Sequence, residues 1–301
     1  MPPMLLLHQI WQKIYSIGFY FFNLFLIEKG IKMLVIGEKL NSTRKKVRGI
    51  IEKRDKEAVQ DLARKQVESG AEILDVNSSN AVGDKIDNIK WLVKTTQEVV
   101  NVPLCIDSPD ADEIEKGLEV HNWDKGKAII NSITGEKEKI DRLLPVIKKY
   151  KCGVIALAMD EKGISDNSEI RFKIAEKLID ILTGAGLSFK DIFIDPLVVP
   201  IGTNDKNGLI TLETIRKIRN VYPEVKIIAG VSNISFGLLE RKMINQVFMA
   251  LSMACGLDAA IIDPTDKKMM AIIKVATTLL GEDSFCMNYI KACRNGKLYF
   301  S

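Results

Sequence analysis

From Met33 onward, short apolar runs alternate with longer segments of helical spacing, and this alternation occurs eight times. The runs are Met33–Gly37, Ile73–Val76, Leu104–Ile106, Ala128–Ile130, Val154–Ala158, Ile192–Ile194, Lys226–Gly230 and Ala259–Ile262. Short, nearly continuous apolar strands separated by helices are typical of a parallel sheet that is covered on both faces. Eight such units predict an α/β fold, a single closed (β/α)8 TIM barrel, which usually takes about 250 residues.

The segments between the runs have the spacing of amphipathic helices. One carries apolar residues at positions 58, 62, 63 and 67, with Asp55 suited to cap its start and Gly70 suited to end it. The same spacing recurs at Ile244, Val247, Phe248 and Leu251. No Gly-x-Gly-x-x-Gly follows the first run, which argues against an open dinucleotide-binding sheet.

The first 32 residues differ in composition from the rest, since they hold seven of the 20 aromatic residues. Their apolar run, Ile14–Ile27, is shorter than the ~20 residues of a membrane-spanning helix, and no small-residue cleavage site follows it. We therefore predict that residues 1–32 are an N-terminal extension outside the functional domain, and that residues 33–301 form the barrel domain. A helix that packs on the barrel or lies on a membrane surface, and a membrane anchor, remain as alternatives.

The composition excludes several classes of function. The charge balance, 43 Lys and Arg against 39 Asp and Glu, gives no basic stripe for nucleic acid. Only two histidines, His8 and His121, are present, so a histidine triad or a histidine-rich metal site is disfavoured and we expect no bound metal. The five cysteines form no CxxC pair, and Cys105 and Cys255 stand in apolar stretches as core residues. This cysteine usage predicts a reducing, cytoplasmic setting.

Polar residues stand at the end of nearly every predicted strand. They are Glu38, Asn41, Asp75, Asn77, Asp107, Ser108, Asn131, Ser132, Asp160, Asp195, Ser232, Asn233 and Asp263. Each one alone has a structural explanation, because Asp, Asn and Ser favour turns and helix caps. Together they would form a ring at the carboxyl ends of the strands, where the active sites of TIM barrels lie. The sequence therefore predicts an active site in this mouth.

The ring also indicates its ligand. It offers hydrogen-bond acceptors from carboxylates and paired donors and acceptors from amides, with few cations and no glycine-rich loop for phosphate. A flat heterocycle with several N–H groups would suit it. The 2-amino-4-oxo edge of a pterin presents an amine beside a ring N–H, which one carboxylate can accept through two parallel bonds.

Seven runs carry a family resemblance: MLVIGEKLN, LDVN, CIDS, INS, IDPLVVP, GVSNIS and MACGLDAAIID. In this order and spacing, from about Met33 to about Tyr289, they resemble the pterin-binding methyltransferases that act on methyltetrahydrofolate and a corrinoid protein. This family includes the folate module of cobalamin-dependent methionine synthase, and the chain most resembles the stand-alone enzymes of acetogenic and demethylating bacteria.

The resemblance implies a TIM barrel, a homodimer, tetrahydrofolate or methyltetrahydrofolate as substrate, and a corrinoid partner that brings cobalamin. A corrinoid iron–sulfur protein is one such partner. The resemblance implies that Asp107, Asn131 and Asp195 form hydrogen bonds with the pterin ring. Asp75 would support these three polar residues.

In the seventh-strand loop the resemblance implies that Gly230 and Ser232 shape the loop, and that Asn233 reaches N5, the atom that carries the methyl group. Asn233 is thus the catalytic candidate. At Phe236 the chain departs from some stand-alone relatives, which have a polar residue there. Arg241 is either a contact for the anionic tail of the folate or an ordinary surface residue of its helix.

Two other functions remain as alternatives. Dihydropteroate synthase shares the barrel and the pterin carboxylates, but that family also binds a pyrophosphate with cations near the seventh and eighth strands. Here these places read GVSNIS and IIDPTD, without cations. A non-catalytic module that binds folate or a corrinoid is the second alternative.

Overall fold

The computed structural model describes residues 33–296 and 298, and in them eight parallel strands close into a barrel in chain order. The strands are β1 (Leu34–Asn41), β2 (Ile73–Asn77), β3 (Leu104–Asp107), β4 (Ile129–Ile133), β5 (Gly153–Leu157), β6 (Ile192–Asp195), β7 (Lys226–Ala229) and β8 (Ala259–Ile262). Strand β8 pairs with β1 and closes the sheet. The predicted TIM barrel is confirmed. The predicted N-terminal extension, residues 1–32, lies outside the described residues.

Ten α-helices lie within the described residues. They are α1 (Lys45–Glu52), α2 (Lys56–Glu68), α3 (Lys85–Gln97), α4 (Ala111–Val120), α5 (Lys137–Tyr150), α6 (Ser168–Gly184), α7 (Asn207–Val221), α8 (Arg241–Ala254), α9 (Lys267–Leu279) and α10 (Met287–Arg294). The predicted cap is confirmed, since the Asp55 side chain accepts a hydrogen bond from the N–H of Ala58 at the start of α2. No helix in this part of the chain has the length and apolar character that a membrane crossing requires.

Several strands run one or more residues beyond their predicted ends, because polar residues at the mouth also pair across the sheet. Asn41 stands opposite Asn77, and Asp107 stands opposite Asn131. Strand β1 accommodates its extra length with an irregularity between Gly37 and Leu40. These polar side chains are therefore mounted on strands rather than on loops, which fixes their positions more precisely.

The interior of the barrel is filled by an apolar layer to which each strand contributes one side chain. The layer consists of Ile36, Ile73, Cys105, Ile129, Ile155, Phe193, Ile228 and Ala259. All eight are buried, as is usual for the packed interior of a TIM barrel. We call this set the barrel floor. The predicted core position of Cys105 is confirmed, and Cys255 is buried as well.

A second, larger core lies between the strands and the surrounding helices. Helix α8 covers it with Phe248 and Met249, while Val247 and Leu251 from the same predicted helical stripe are exposed. The predicted helix is confirmed, but the residues that it buries lie about one position later in the chain than the predicted apolar stripe. Helix α8 therefore has an apolar face toward the core and a second apolar face toward solvent.

Candidate active site

A ring of mostly polar residues lies directly above the barrel floor, because the strands are pleated. Side chains two residues apart on a strand point to the same side of the sheet, so the residue two positions after each floor residue also points inward. These positions are Glu38, Asp75, Asp107, Asn131, Leu157, Asp195, Gly230 and Ile261. Four of them are acids and one is an amide. The sequence thus places a charged layer directly above an apolar one.

The ring opens into a cavity of about 310 Å³ at the carboxyl ends of the strands. Its walls are Glu38, Asn41, Thr43, Arg44, Asp75, Asp107, Asn131, Asp195, Gly230, Ser232, Asn233 and Ile261. All seven residues that the sequence predicted for the site are in this set. The structure brings them together in one cavity of the size that small ligands occupy; their individual roles stay predictions.

Asp75 and Asp107 occupy neighbouring strands and interact electrostatically. Asp75 is buried, and its Oδ1 accepts a hydrogen bond of 3.3 Å from Nδ2 of Asn131. Asp107 accepts one of 3.2 Å from Nδ2 of Asn41 at its Oδ2. Burial and the charge of Asp107 raise the pKa of Asp75 well above its usual value. Burial raises the pKa of Asp107 to about 6. Within the pair, Asp75 therefore holds a proton more tightly than Asp107 does.

Asp195 faces the cavity from the end of β6. Its Oδ1 accepts a hydrogen bond of 2.7 Å from the N–H of Leu197. Burial raises the pKa of Asp195 to about 6, while this hydrogen bond and the charge of Arg171 oppose the rise. At pH 7 both Asp107 and Asp195 are mostly ionised, so the cavity presents two carboxylate acceptors on separate strands.

The loop after β7 carries Asn233 in a 3₁₀ turn, Val231–Ser235. The turn is closed by a 3.2 Å hydrogen bond from the N–H of Asn233 to the carbonyl of Gly230. A Cβ at Gly230 would lie 3.4 Å from Nδ2 of Asn233, so glycine leaves this amide room beside the backbone. The loop thereby presents the Asn233 amide at the cavity wall.

Arg241, at the start of α8, braces the same loop. Its Nη2 donates to the Ser232 carbonyl at 2.9 Å and its Nε donates to the Ser235 hydroxyl at 3.1 Å. The guanidinium also lies over the ring of Phe236, 5.5 Å from the ring centre. Of the two alternatives that the sequence left for Arg241, neither includes this role. Its contacts are with the loop that holds Asn233.

Arg44 is a cavity residue that was not predicted from the sequence. Arg44 lines the cavity and forms an ion pair with Glu38 on β1. It reaches the mouth because the chain turns tightly after β1, with the N–H of Arg44 donating to the carbonyl of Asn41 at 3.1 Å. The side chain of Asn41 supports this turn by accepting from the N–H of Thr43 at 3.0 Å. An asparagine at a strand end followed by Ser-Thr-Arg was the only signal in the sequence.

Some polar residues at the strand ends support the loops and do not line the cavity, although Asn77 also forms a side-chain hydrogen bond with Asp107. Asn77 accepts hydrogen bonds from the Ser42 hydroxyl and the N–H of Ser79. Asp160 accepts from the N–H of Lys162, and Asp263 pairs with Lys39 at 2.9 Å. For these residues the turn and capping explanation applies. Among residues 33–296, no group of three or more His, Cys, Asp or Glu side chains is arranged to hold a metal ion.

The barrel and its mouth of acids and amides define a class of protein: a TIM-barrel enzyme whose polar site lies at the carboxyl ends of the strands. Comparison with known families makes the class specific. The sequence model of the family described as pterin binding enzyme matches residues 37–263, which include the whole cavity. The chain belongs to the pterin-binding enzyme family.

Two curated relatives cover most of this chain. The methylcorrinoid:tetrahydrofolate methyltransferase of Eubacterium limosum is 37% identical over 268 residues, which are 88% of this chain and 98% of the relative. The methionine synthase of Mycobacterium tuberculosis is 30% identical over 243 residues, 76% of this chain and 20% of that longer protein.

A solved structure shares the fold. Dihydropteroate synthase from Xanthomonas albilineans, in complex with 7,8-dihydropteroate, has a TM-score of 0.62 and 13% sequence identity, and the match covers 83% of this chain and 94% of that chain. At this identity the likeness concerns the fold alone.

Proposed function

We propose that this protein moves a methyl group between N5 of tetrahydrofolate and the cobalt of a corrinoid that a partner protein carries. The observation that supports this proposal most is the cavity, in which Asp107, Asn131 and Asp195 surround a space that Asn233 borders. The likeness to the Eubacterium limosum methyltransferase over nearly its whole length supports the same activity.

The pterin ring is held by the carboxylates. Asp107 and Asp195 each accept N–H donors of the ring, and Asn131 offers both an acceptor and a donor. Asp75 lies behind them and accepts the Nδ2 hydrogen bond of Asn131, which leaves the amide oxygen of Asn131 for the ligand. The apolar barrel floor below keeps water from competing for these groups.

Asn233 acts at N5. The amine at N5 is a poor leaving group until it gains a proton or a strong hydrogen bond, so the reaction needs stabilisation of the charge that develops there. An amide does not release a proton near neutral pH. Asn233 therefore gives a hydrogen bond that strengthens as N5 becomes basic in the transition state, and the proton arrives through water or a carboxylate.

The corrinoid is a second substrate, and its cobalt in the Co(I) state supplies the nucleophile for the methyl carbon. In the opposite direction, N5 of tetrahydrofolate attacks the methyl group on cobalt. The partner approaches the rim at the β7 loop, because Asn233 lies on that loop. Phe236 and Leu239 of this loop are strongly exposed, Leu239 at 89%. Exposed apolar groups at a rim are typical of protein contact sites. The corrinoid iron–sulfur protein is one candidate partner.

The protein also forms a homodimer in this proposal, with a second copy on the exposed face of α8. Met243, Val247 and Leu251 line that face at intervals of four residues, and no charged residue occurs from position 243 to 254. Sedimentation should give a dimer for the wild type and a monomer for Val247→Glu with Leu251→Glu. A dimer in that double variant would contradict this interface, and Leu209→Glu on α7 is the control. The cytoplasmic location stays a prediction from the cysteine usage.

The dihydropteroate synthase alternative lacks support at the same mouth. That activity needs cations for a pyrophosphate, and Arg44, the one cation among the cavity residues of the described chain, is paired with Glu38. No Lys or Arg occurs in the mouth segments 230–235 and 262–266.

One assay separates the two activities. The purified protein is incubated with methyltetrahydrofolate labelled in its methyl group and with cob(I)alamin, and separately with dihydropterin pyrophosphate and p-aminobenzoate. We expect labelled methylcobalamin in the first incubation and no dihydropteroate in the second. Binding of neither folate in calorimetry, or dihydropteroate formation without methyl transfer, would overturn the proposed function.

A further inference from the structure

Arg171, in the first turn of α6, is a buried arginine with unusual partners. Its side chain is 1% exposed, and its hydrogen bonds go to backbone carbonyls. Nε donates to Ser165 at 2.6 Å, and Nη1 donates to Pro196 at 2.9 Å and to Leu197 at 2.5 Å. Burying a guanidinium is costly, so such a residue needs a compensating interaction.

The carbonyls that Arg171 binds belong to the two residues directly after Asp195. Leu197 has a φ of +66°, a left-handed conformation that is uncommon for a residue with a side chain. Its N–H donates to Oδ1 of Asp195, and its carbonyl accepts from both Arg171 and the hydroxyl of Thr211 at 3.1 Å. The Leu197 backbone thus links the buried guanidinium to the carboxylate in the cavity.

The charge of Arg171 also acts on Asp195. Burial raises the pKa of the Asp195 carboxyl, and the charge of Arg171 lowers it in part, so the pKa is about 6. Asp166, on the loop before α6, is the other acid that acts on Arg171.

Charged groups on the neighbouring elements are engaged elsewhere. Helix α7 packs on α6, and its Glu213 and Lys217 pair with Ser168 and Glu169. On β7, Lys226 lies over the Phe193 ring, in the floor layer below Asp195.

We propose that Arg171 is a positioning residue for Asp195: its guanidinium fixes the loop that holds this carboxylate and supplies the positive charge that keeps it an acceptor for the ligand. Arg171 does not line the cavity, so it acts through Asp195 rather than on the substrate. The ligand itself rests on the proposed function, but the coupling between Arg171 and Asp195 does not.

Two substitutions separate the two parts of this role. Arg171→Gln removes the charge and keeps N–H donors for the loop carbonyls. Arg171→Lys keeps the charge and loses the planar fork that binds two carbonyls at once. Arg64, an exposed arginine on α2, gives the matched control Arg64→Gln.

The direct test is an NMR titration without any folate. The side-chain ¹³C resonance of Asp195, assigned by its loss in Asp195→Asn, should titrate near pH 6 in the wild type and about one pH unit higher in Arg171→Gln. Arg171→Lys and Arg64→Gln should stay near the wild type. An unchanged midpoint in folded Arg171→Gln would overturn the inference.

A second measurement decides the matter even if Arg171→Gln does not fold. In the wild type, the Nε resonance of Arg171 should shift with the same midpoint as Asp195, and this shift should vanish in Asp195→Asn. If the Arg171 resonance did not shift as Asp195 titrates, the inference would be overturned. This measurement needs no substitution at position 171.

A binding cycle then tests the consequence for function. At pH 7, Arg171→Gln should weaken tetrahydrofolate binding about tenfold in the wild type and less than about twofold in Asp195→Asn, because the effect passes through Asp195. Equal losses in both backgrounds would contradict a role through Asp195. If the wild type bound no folate, the proposed function would fail, while the two NMR measurements would still decide the Arg171 inference.

Discussion

The barrel floor and the polar ring are built by the same eight strands, two residues apart, yet they have opposite chemistry. Ile73, Cys105 and Phe193 fill the floor, and Asp75, Asp107 and Asp195 stand directly above them. The floor gains stability from burying apolar surface. The ring loses stability by burying acids, which raises the pKa values of Asp75 and Asp107, and the charge of Asp107 raises the pKa of Asp75 further. The difference separates residues that hold the barrel together from residues that we propose bind the ligand.

The largest effect is expected from a cavity in the floor. Phe193→Ala removes a buried aromatic ring and should lower the free energy of unfolding by about 3–5 kcal/mol. Urea unfolding followed by circular dichroism measures this loss. Leu279→Ala on the surface of α9 is the control and should change stability by less than about 0.5 kcal/mol. A loss at Phe193 no larger than that of the control would break the distinction between the two layers.

The second largest effect is expected in the polar ring, where a substitution should weaken binding without lowering stability. Asp107→Asn should weaken tetrahydrofolate binding by about 1.5–3 kcal/mol, the scale of a hydrogen bond to a charged group. Its free energy of unfolding should stay equal or rise, because the repulsion with Asp75 is removed. Calorimetry and urea unfolding on the same protein measure both. Asp112→Asn, an exposed acid on α4, is the matched control, and a destabilised Asp107→Asn with normal binding would reverse our assignment.

A smaller effect should appear in the pH dependence of Asp195. Burial raises its pKa to about 6 in the folded protein, above the ~3.9 of an unfolded aspartate, so the folded state binds the proton more tightly. Compared with Asp195→Asn, the wild type should therefore lose stability as the pH rises from about 4 to 6 and change little above that. Folate affinity should fall as the pH drops below about 6. If stability and folate affinity varied with pH in the same way in the wild type and in Asp195→Asn, an ionised Asp195 at the site would be contradicted.

The smallest effect is expected from the N-terminal extension. A protein that begins at Met33, the residue before β1, should fold and transfer methyl groups within about twofold of the full chain, since both layers lie in residues 33–301. Thermal unfolding and the labelled-methyl assay measure this. An insoluble protein or a loss of methyl transfer would instead support packing of the extension on the barrel.

The sequence predicted the barrel from local patterns, and it predicted the seven cavity residues from polar strand ends together with the family resemblance. A run such as Ile192–Ile194 ends in Asp195, and closure of the sheet brings all such ends to one mouth. Arg44 escaped prediction because its position depends on the turn after β1. Arg171 escaped as well, since its partners lie on the next loop, 25 and 26 residues away, and one of them has a left-handed backbone. Contacts of this kind leave no periodic signal in a sequence.

In the proposed mechanism the ring binds folate and Asn233 acts on N5, and the variant Asn233→Ala separates these two functions. Stopped-flow absorbance follows the loss of cob(I)alamin with saturating methyltetrahydrofolate, and calorimetry gives the folate affinity of the same protein. We predict that Asn233→Ala slows methyl transfer by about 10²-fold while the dissociation constant changes by less than about threefold. A variant that binds folate much more weakly yet transfers the methyl group at the normal rate at saturation would contradict the account, because Asn233 would then serve ground-state binding alone.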